Sequence, residues 1–341
     1  MPEVPRFVTV DDYEAVAREA LDPTTYDYYA GGAGDERTVD ANRLAFRRWR
    51  LRPRMLRGVG SPDTSTEILG ERIATPILVA PWAYQWLAHP DGEGGTARAA
   101  AAAGTVMVVS STVLDRVEEI ATVGGPLWWQ VYVFGDRAVT ADHVRRAAAA
   151  GYRAIVLTVD LPVLGLRHRD ERNGFELPVG TPGAENVFDD ALTWDDLAWL
   201  REQAPELPLL VKGILRADDA QLALEHGADG IIVSNHGGRQ LDAGEGGLDA
   251  LPPIVDAVGG RAPVLVDGGV RRGTDVVTAI ALGADAVLVA RPVAWGLAVA
   301  GEAGAADVLR ILTEETANVM AQCGCRTVAE ITPDLVTPAP A

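Results

Sequence analysis

Of the 30 basic side chains in this chain, 29 are arginine and one is lysine, Lys212. An ammonium is a compact point charge on a flexible stem, whereas a guanidinium is a flat fork suited to carboxylates and phosphates. Lys212 lies in Leu209-Leu-Val-Lys-Gly-Ile, an apolar run with the look of a buried strand end, so it is the first candidate for a group that meets one atom of a ligand. Twenty-two residues on comes Ser234-Asn-His-Gly-Gly-Arg-Gln-Leu-Asp, with His236 three residues before Arg239. An imidazole suits proton transfer near neutral pH. Asp160, at the end of Gly151-Tyr-Arg-Ala-Ile-Val-Leu-Thr-Val-Asp, is the carboxylate candidate to orient it, and together they would make a general base.

Such residues need a scaffold that gathers distant parts of the chain. Four segments share one grammar, in which an alanine-rich helical stretch ends at a glycine and a β-branched run follows: from Gly104, Gly151, Gly227 and Gly283. Glycine suits the left-handed position after a helix, and an uninterrupted apolar run suits a strand covered on both faces. Similar runs at Pro76-Ile-Leu-Val-Ala-Pro, Leu127-Trp-Trp-Gln-Val-Tyr, Leu209-Leu-Val-Lys and Pro263-Val-Leu-Val-Asp bring the total to eight. Eight βα units predict an α/β fold, a (β/α)8 TIM barrel. A doubly wound sheet would usually bring an early Gly-x-Gly-x-x-Gly turn, and none is present. Residues 1–70 are expected to form an N-terminal helical extension on a barrel of residues 71–332. Residues 175–194, rich in Pro, Gly and Asp, read as a strand-four loop serving as a lid, and 333–341 as a flexible tail.

Barrel chemistry gathers where strands end. Those ends carry Pro81-Trp82-Ala83, Ser110, Gln130 with Tyr132, Thr158 with Asp160, Lys212, Ser234 with His236 and Arg239, Asp267-Gly268-Gly269-Val-Arg271, and Ala290-Arg291. The last two ends combine a Gly-Gly turn with Arg271 and Arg291, where barrels commonly hold phosphate, so a phosphate-bearing cofactor is expected. Ser110, Gln130, Thr158 and Lys212 could face a flat heteroaromatic ring.

Forty-eight acidic residues against 30 basic ones leave a formal charge of −18, which argues against nucleic acid or an anionic membrane as partner. The start, Met1-Pro-Glu-Val-Pro-Arg-Phe, shows no secretory signal, and the apolar stretch 286–300 is broken by Arg291 and Pro292, so a cytoplasmic protein is expected. Cys323 and Cys325 flank one glycine with no second pair or nearby histidine, and no metal site is expected. The run Arg47-Arg-Trp-Arg-Leu-Arg-Pro-Arg reads as ion pairs tying the extension to an acidic barrel.

From Tyr26-Asp-Tyr-Tyr-Ala-Gly-Gly-Ala-Gly-Asp-Glu to Cys325-Arg-Thr-Val-Ala-Glu-Ile, the chain resembles the FMN-dependent 2-hydroxy-acid oxidase and dehydrogenase family. Its most specific piece is the Ser234–Asp242 motif. The resemblance implies His236 as base with Asp160 holding its ring, and Arg239, Arg167 and the Tyr28 hydroxyl on the substrate carboxylate. Tyr132 would touch the substrate oxygen and the cofactor. FMN would lie against Pro81, Trp82 and Ala83, with Ser110, Gln130, Thr158, Lys212 and Ser234 on its ring and ribityl chain. Asp267, Gly268, Gly269, Arg271, Ala290 and Arg291 would hold its far end.

The implied reaction takes an (S)-2-hydroxy acid to the 2-oxo acid, with O2 reoxidising the flavin to give H2O2. Family analogy also implies a homotetramer or homo-octamer. Trp82 stands where short-chain oxidases carry a small residue, and Thr112 where they carry tryptophan. Together with Tyr84 this favours a larger or aromatic acid. The weak pointer to O2 is Ala83, where glycine is commoner in dehydrogenases and monooxygenases of the family. Those two outcomes, and an FMN-dependent isomerase on a related barrel, are the alternatives; the isomerase would not need two arginines and a His-Asp pair around a carboxylate.

Overall fold

The computed structural model describes residues 7–113, 116–178, 181 and 188–340. Residues 1–6 and part of the expected lid segment 175–194 lie outside that set. Eight strands, β1 (Ile77–Val79), β2 (Met107–Ser110), β3 (Leu127–Val131), β4 (Ala154–Thr158), β5 (Leu209–Ile214), β6 (Gly230–Val233), β7 (Val264–Asp267) and β8 (Ala286–Val289), form a closed parallel barrel. Closure is made by β8 on β1, with Val287 opposite Ile77. All eight are the apolar runs expected from sequence, and the four repeat glycines all have positive φ.

The runs are continuously apolar because both faces are buried. Leu78, Val108, Trp128, Val156, Leu210, Ile232, Leu265 and Leu288 fill the interior, while their neighbours Val79, Val109, Trp129, Leu157, Val211 and Val233 pack outward under the helices. Truncating an interior residue such as Leu210 to alanine would cost about 2–5 kcal/mol. A hairpin, Thr66–Ile68 paired with Glu71–Ile73, adds Ile68 and Ile73 to the interior cluster and plugs the N-terminal end of the barrel. Only the C-terminal end is left for a site.

Three helices, α1 (Val10–Ala20), α2 (Pro23–Ala30) and α3 (Arg37–Arg47), lead the chain to the barrel. Thr9 and Asp12 form a capping box on α1; Asp22 caps α2, with Pro23 in its first turn. Val10, Tyr13 and Ala17 form the buried face of α1, and the Tyr13 hydroxyl donates to Asp307 at 2.9 Å on the final helix, Arg291–Cys323. That helix breaks at Ala300–Gly301.

The expectation of a flexible tail is corrected. Val336–Pro338 pairs antiparallel with Trp49–Leu51, the Arg52 amide donates to Leu335 at 2.7 Å, and Leu335 and Val336 are buried. Composition suggested looseness, whereas a strand partner more than 280 residues away supplies the backbone bonds. Of the arginine run, Arg48 meets Asp249 at 3.0 Å and Arg54 meets Asp334, but Arg50 turns back to the carbonyls of Arg47 and Trp49. Among the described residues no helix is long and apolar enough to cross a membrane.

Candidate functional site

A cavity of about 770 Å³ opens at the C-terminal ends of the strands. Its lining includes Tyr28, Pro81, Trp82, Ala83, Ser110, Thr112, Tyr132, Arg167, Lys212, His236, Arg239, Asp267, Gly268, Gly269, Arg271, Ala290 and Arg291. Of the residues expected from sequence, Gln130, Thr158, Asp160 and Ser234 stand behind this lining; Gln130, Asp160 and Ser234 act on it through their hydrogen bonds, and the Thr158 hydroxyl is buried without a partner.

His236 follows β6 in a turn where it, Gly237 and Gly238 all take positive φ. A left-handed histidine is unfavourable and persists only where its surroundings enforce it. Here its amide donates to the Ser234 hydroxyl at 3.0 Å, and its Nδ1 lies 2.9 Å from Asp160 Oδ1. Asp160 reaches that position because residue 213 on β5 is glycine, with φ +112; a Cβ there would come within 2.8 Å of the Asp160 amide nitrogen. Burial pushes the imidazole below the usual histidine range, against the pull of Asp160, and Lys212 and Arg239 push it the same way. Burial alone would raise the Asp160 carboxyl, but His236 and Lys212 hold it below the usual range. The pair is therefore a neutral imidazole beside an ionised carboxylate, with Nδ1 donating and Nε2 free to accept. The Tyr132 hydroxyl lies 3.5 Å from Nε2.

Lys212 is buried, donating to Ser234 Oγ at 2.7 Å and lying 3.2 Å from Asp267 Oδ2. Burial disfavours the ammonium, yet Asp267 and Asp160 hold its pKa above the ordinary lysine value, so it stays charged. The Ser234 hydroxyl thus joins the lysine to the histidine backbone, a structural role beyond the cofactor contact expected of it.

Arg239 donates to the carbonyls of Tyr28 and, at 3.1 Å, Gly31, and its guanidinium lies 4.9 Å from the centre of the Tyr28 ring. Burial and neighbouring Arg167 bring its pKa down to about 10. Arg167 faces the cavity, whereas Arg169, two residues on, is held by Asp27 at 3.1 Å and Glu36 at 2.5 Å. Arg291 is pushed down to about 9 by burial and by Arg239 and Arg271. Its contacts differ from those expected: it donates to the carbonyls of Tyr29, Gly237 and Gly31 at 3.0, 2.9 and 2.8 Å, bracing the extension against the His236 turn. A guanidinium has five N–H donors, so this does not exhaust it.

The donor set fits FMN. Ser110 Oγ and the Ser111 amide both donate to Gln130 Oε1, at 3.1 and 3.3 Å, which leaves Gln130 Nε2 without a partner. Thr158 Oγ1, Asp267 Oδ1 and Arg271 Nε are likewise buried without a protein partner. Such atoms are costly unless satisfied. An amide, a hydroxyl and an ammonium suit the carbonyls and nitrogens of a flavin ring, a carboxylate suits ribityl hydroxyls, and an arginine beside a Gly-Gly turn suits phosphate. Thr112 Oγ1 sits 2.9 Å from Ser110 Oγ, and Trp82 meets Tyr29 edge-on at 5.3 Å.

Sequence reasoning missed Leu161, Leu164, Asp170, Phe175, Leu177 and Phe188, which also line the cavity. They follow β4 on a connection whose path over the barrel mouth has no local signal; the cluster of apolar residues at 161–166 was the available hint.

A family model described as FMN-dependent dehydrogenase matches residues 17–184 and 182–338. An L-lactate oxidase of Nostoc sp. is 49% identical over 352 residues, covering 95% of this chain and 96% of that protein. A glycolate oxidase of Spinacia oleracea is 48% identical over 345 residues, covering 94% and 93%. The solved structure of a mandelate oxidase with 3,3-difluoro-2-hydroxy-3-phenylpropionic acid is similar with a TM-score of 0.93 at 45% identity, covering 98% of this chain and 100% of that one. With an eight-stranded barrel, a lysine and a histidine at its mouth and a donor set fitted to a flavin, the chain belongs to the FMN-dependent dehydrogenase family, and FMN is its cofactor.

Proposed function

We propose that the protein oxidises an (S)-2-hydroxy acid to the 2-oxo acid, passing the electrons to O2 as H2O2, and that it accepts acids with side chains larger than methyl, aromatic ones included. The observation that carries this reading is one cavity holding a neutral imidazole oriented by a carboxylate and two guanidiniums able to grip an acid. Arg239 and Arg167, with the Tyr28 hydroxyl, would fix the substrate carboxylate and so the orientation of its α-carbon. Conversion to the oxo acid removes two protons and two electrons; His236 Nε2 takes one proton, and the other leaves with the electron pair. Asp160 then stabilises the imidazolium through Nδ1, and Tyr132 donates to the substrate oxygen. FMN supplies the two-electron acceptor. Gln130, Thr158, Lys212 and Ser234 would hold its ring, and Lys212 would favour negative charge there. Asp267, Gly268, Gly269, Arg271, Ala290 and Arg291 would hold the ribityl and phosphate end.

Acceptance of larger acids is supported by the apolar and aromatic part of the lining, where Trp82, Phe175 and Phe188 join Leu161 and Leu164. The similar mandelate oxidase structure, with its phenyl-bearing acid, points the same way. Ala83 at the cavity wall supports O2 as acceptor by family analogy. The family resemblance further supports a cytoplasmic homotetramer or homo-octamer, which light scattering on the purified protein tests.

The deciding experiment is an anaerobic visible spectrum before and after adding glycolate, lactate, mandelate and larger 2-hydroxy acids separately. Bleaching of the flavin band by one or more of them, with recovery and peroxide on admitting air, is expected. A flavin band that none of them bleaches would overturn the reaction, and recovery without peroxide would overturn O2 as two-electron acceptor.

A further inference from the structure

Two segments far apart in sequence meet beside the cavity: the end of α2 with the turn that follows, and the stretch from Arg167 to Phe175. Asp27, next to Tyr28, accepts from Arg169 at 3.1 Å and from Asn173 Nδ2 at 2.5 Å. Glu36 accepts from Arg169 at 2.5 Å and from the Gly32 amide at 3.1 Å, so its carboxylate closes the turn while holding the arginine. The Gly34 amide donates to Leu166 at 2.8 Å, directly before Arg167. The Phe175 ring stacks on Tyr28 with centroids 4.4 Å apart and planes 11° from parallel. The Arg239 guanidinium also lies 4.9 Å from the centre of the Tyr28 ring. Tyr28 thus contacts both an aromatic ring and a cation, and Arg167 is carried on a segment fastened to the same turn.

We propose that Arg169 and Phe175 are positioning residues for substrate binding: by fastening the Arg167–Phe175 segment to the α2–α3 turn, they hold Tyr28 and Arg167 together to grip the substrate carboxylate. The proposal rests on the 2-hydroxy-acid reading above. Arg169 itself touches neither cavity nor strand ends; both its carboxylate partners belong to the extension, so its influence travels through Tyr28 and Arg167. The extension is accordingly part of the substrate site, and not only a cover for the barrel. Ion pairs this exposed contribute little to folding, so affinity rather than stability is the property that should respond.

The test is anaerobic flavin reduction against substrate concentration in the FMN-loaded wild type, Arg169→Gln, Phe175→Leu and Phe175→Tyr. The dissociation constant is expected to rise about tenfold in Arg169→Gln and in Phe175→Leu and by clearly less in Phe175→Tyr, which keeps a ring to stack on Tyr28, with the limiting reduction rate within about threefold throughout. FMN content should match wild type. Wild-type affinity in Arg169→Gln and Phe175→Leu, a loss confined to the limiting rate, or loss of FMN from either would overturn the proposal. Should Phe175→Leu fail to fold, Arg169→Gln at its half-exposed position decides alone. If 2-hydroxy acids fail to reduce the wild-type flavin, the reaction assignment fails first, which separates the two failures.

Discussion

The two sides of the cavity are built by different means. On one side Ser110, Gln130, Thr158, Lys212, Ser234 and Asp267 stand on or just past strand ends, each no more than 6% exposed. Sheet register makes them neighbours: Ser110 pairs with Gln130 across β2 and β3, and Thr158 with Lys212 across β4 and β5. On the other side Tyr28, Arg167, Phe175 and Phe188 come from the extension and the connection after β4; side-chain contacts bring Tyr28 and Phe175 together, and only Phe188 has a strand-like backbone bridge, to Phe134. The first kind of wall is preorganised by the same hydrogen bonds that close the barrel and suits an invariant cofactor. The second depends on contacts that can be exchanged singly, and it is the wall to vary when the substrate changes.

The largest expected effects break that division from the strand-end side. His236→Gln should retain FMN and lower flavin reduction by about 10²- to 10⁴-fold, the usual contribution of a general base; loss of flavin would place His236 with the cofactor wall instead. Lys212→Met removes the cation beside buried Asp267. An unpaired buried carboxylate costs about 3–5 kcal/mol, so the variant should melt earlier and purify with little FMN. Lys212→Arg should not restore it, since a planar fork cannot occupy the space of an ammonium. Full flavin content in Lys212→Met would show that the strand-end wall does not select the cofactor.

The same division explains what could be read before the fold was known. Lys212 and the Ser234–Asp242 motif were legible because a residue type and a spacing carry their chemistry, and strand ends were legible from runs such as Gly227-Ala-Asp-Gly-Ile-Ile-Val. Phe175 was not: nothing near it in sequence says that it will lie on Tyr28, 147 positions earlier, because that stack is set by where helix α2 of the extension meets the connection after β4. Arg169, two residues beyond Arg167, shows the same limit, since nothing near it in sequence says that Asp27 and Glu36 will hold it. The tail failed for the same reason, since Leu335 and Val336 are ordered by a partner strand and not by their own composition. Arg291 shows a second limit, because a residue type suited to phosphate is equally suited to three carbonyls.

On the loop side a smaller effect is expected from Arg239→Lys. The guanidinium spans the carbonyls of Tyr28 and Gly31 while lying against the Tyr28 ring, and one ammonium cannot keep all three contacts and a bidentate hold on substrate. Substrate affinity should fall about tenfold to hundredfold with FMN content unchanged. A variant that lost flavin while keeping substrate affinity would move Arg239 to the other wall.

The smallest effect is a displacement along the pH axis. Burial, with help from Lys212 and Arg239, outweighs Asp160 and sets the His236 imidazole below its ordinary value of 6.5. The working form is the neutral one, so kcat/KM should hold as pH falls through 6.5 and decline only below it. Folding stability shares the sign. The unfolded chain takes up the proton first, so stability contributed by the depressed group is present above 6.5 and is lost as pH falls through the folded value. Asp160→Asn removes the carboxylate that pulls the imidazole upward, so the acid limb should move to still lower pH while the rate falls, because the imidazolium loses its counter-charge. An acid limb in the wild type above 6.5 would mean that Asp160 outweighs burial. The barrel would then have tuned the base by its partner carboxylate, and the division between a wall that sets chemistry by exclusion of water and one that sets binding by contact would have to be redrawn at this residue.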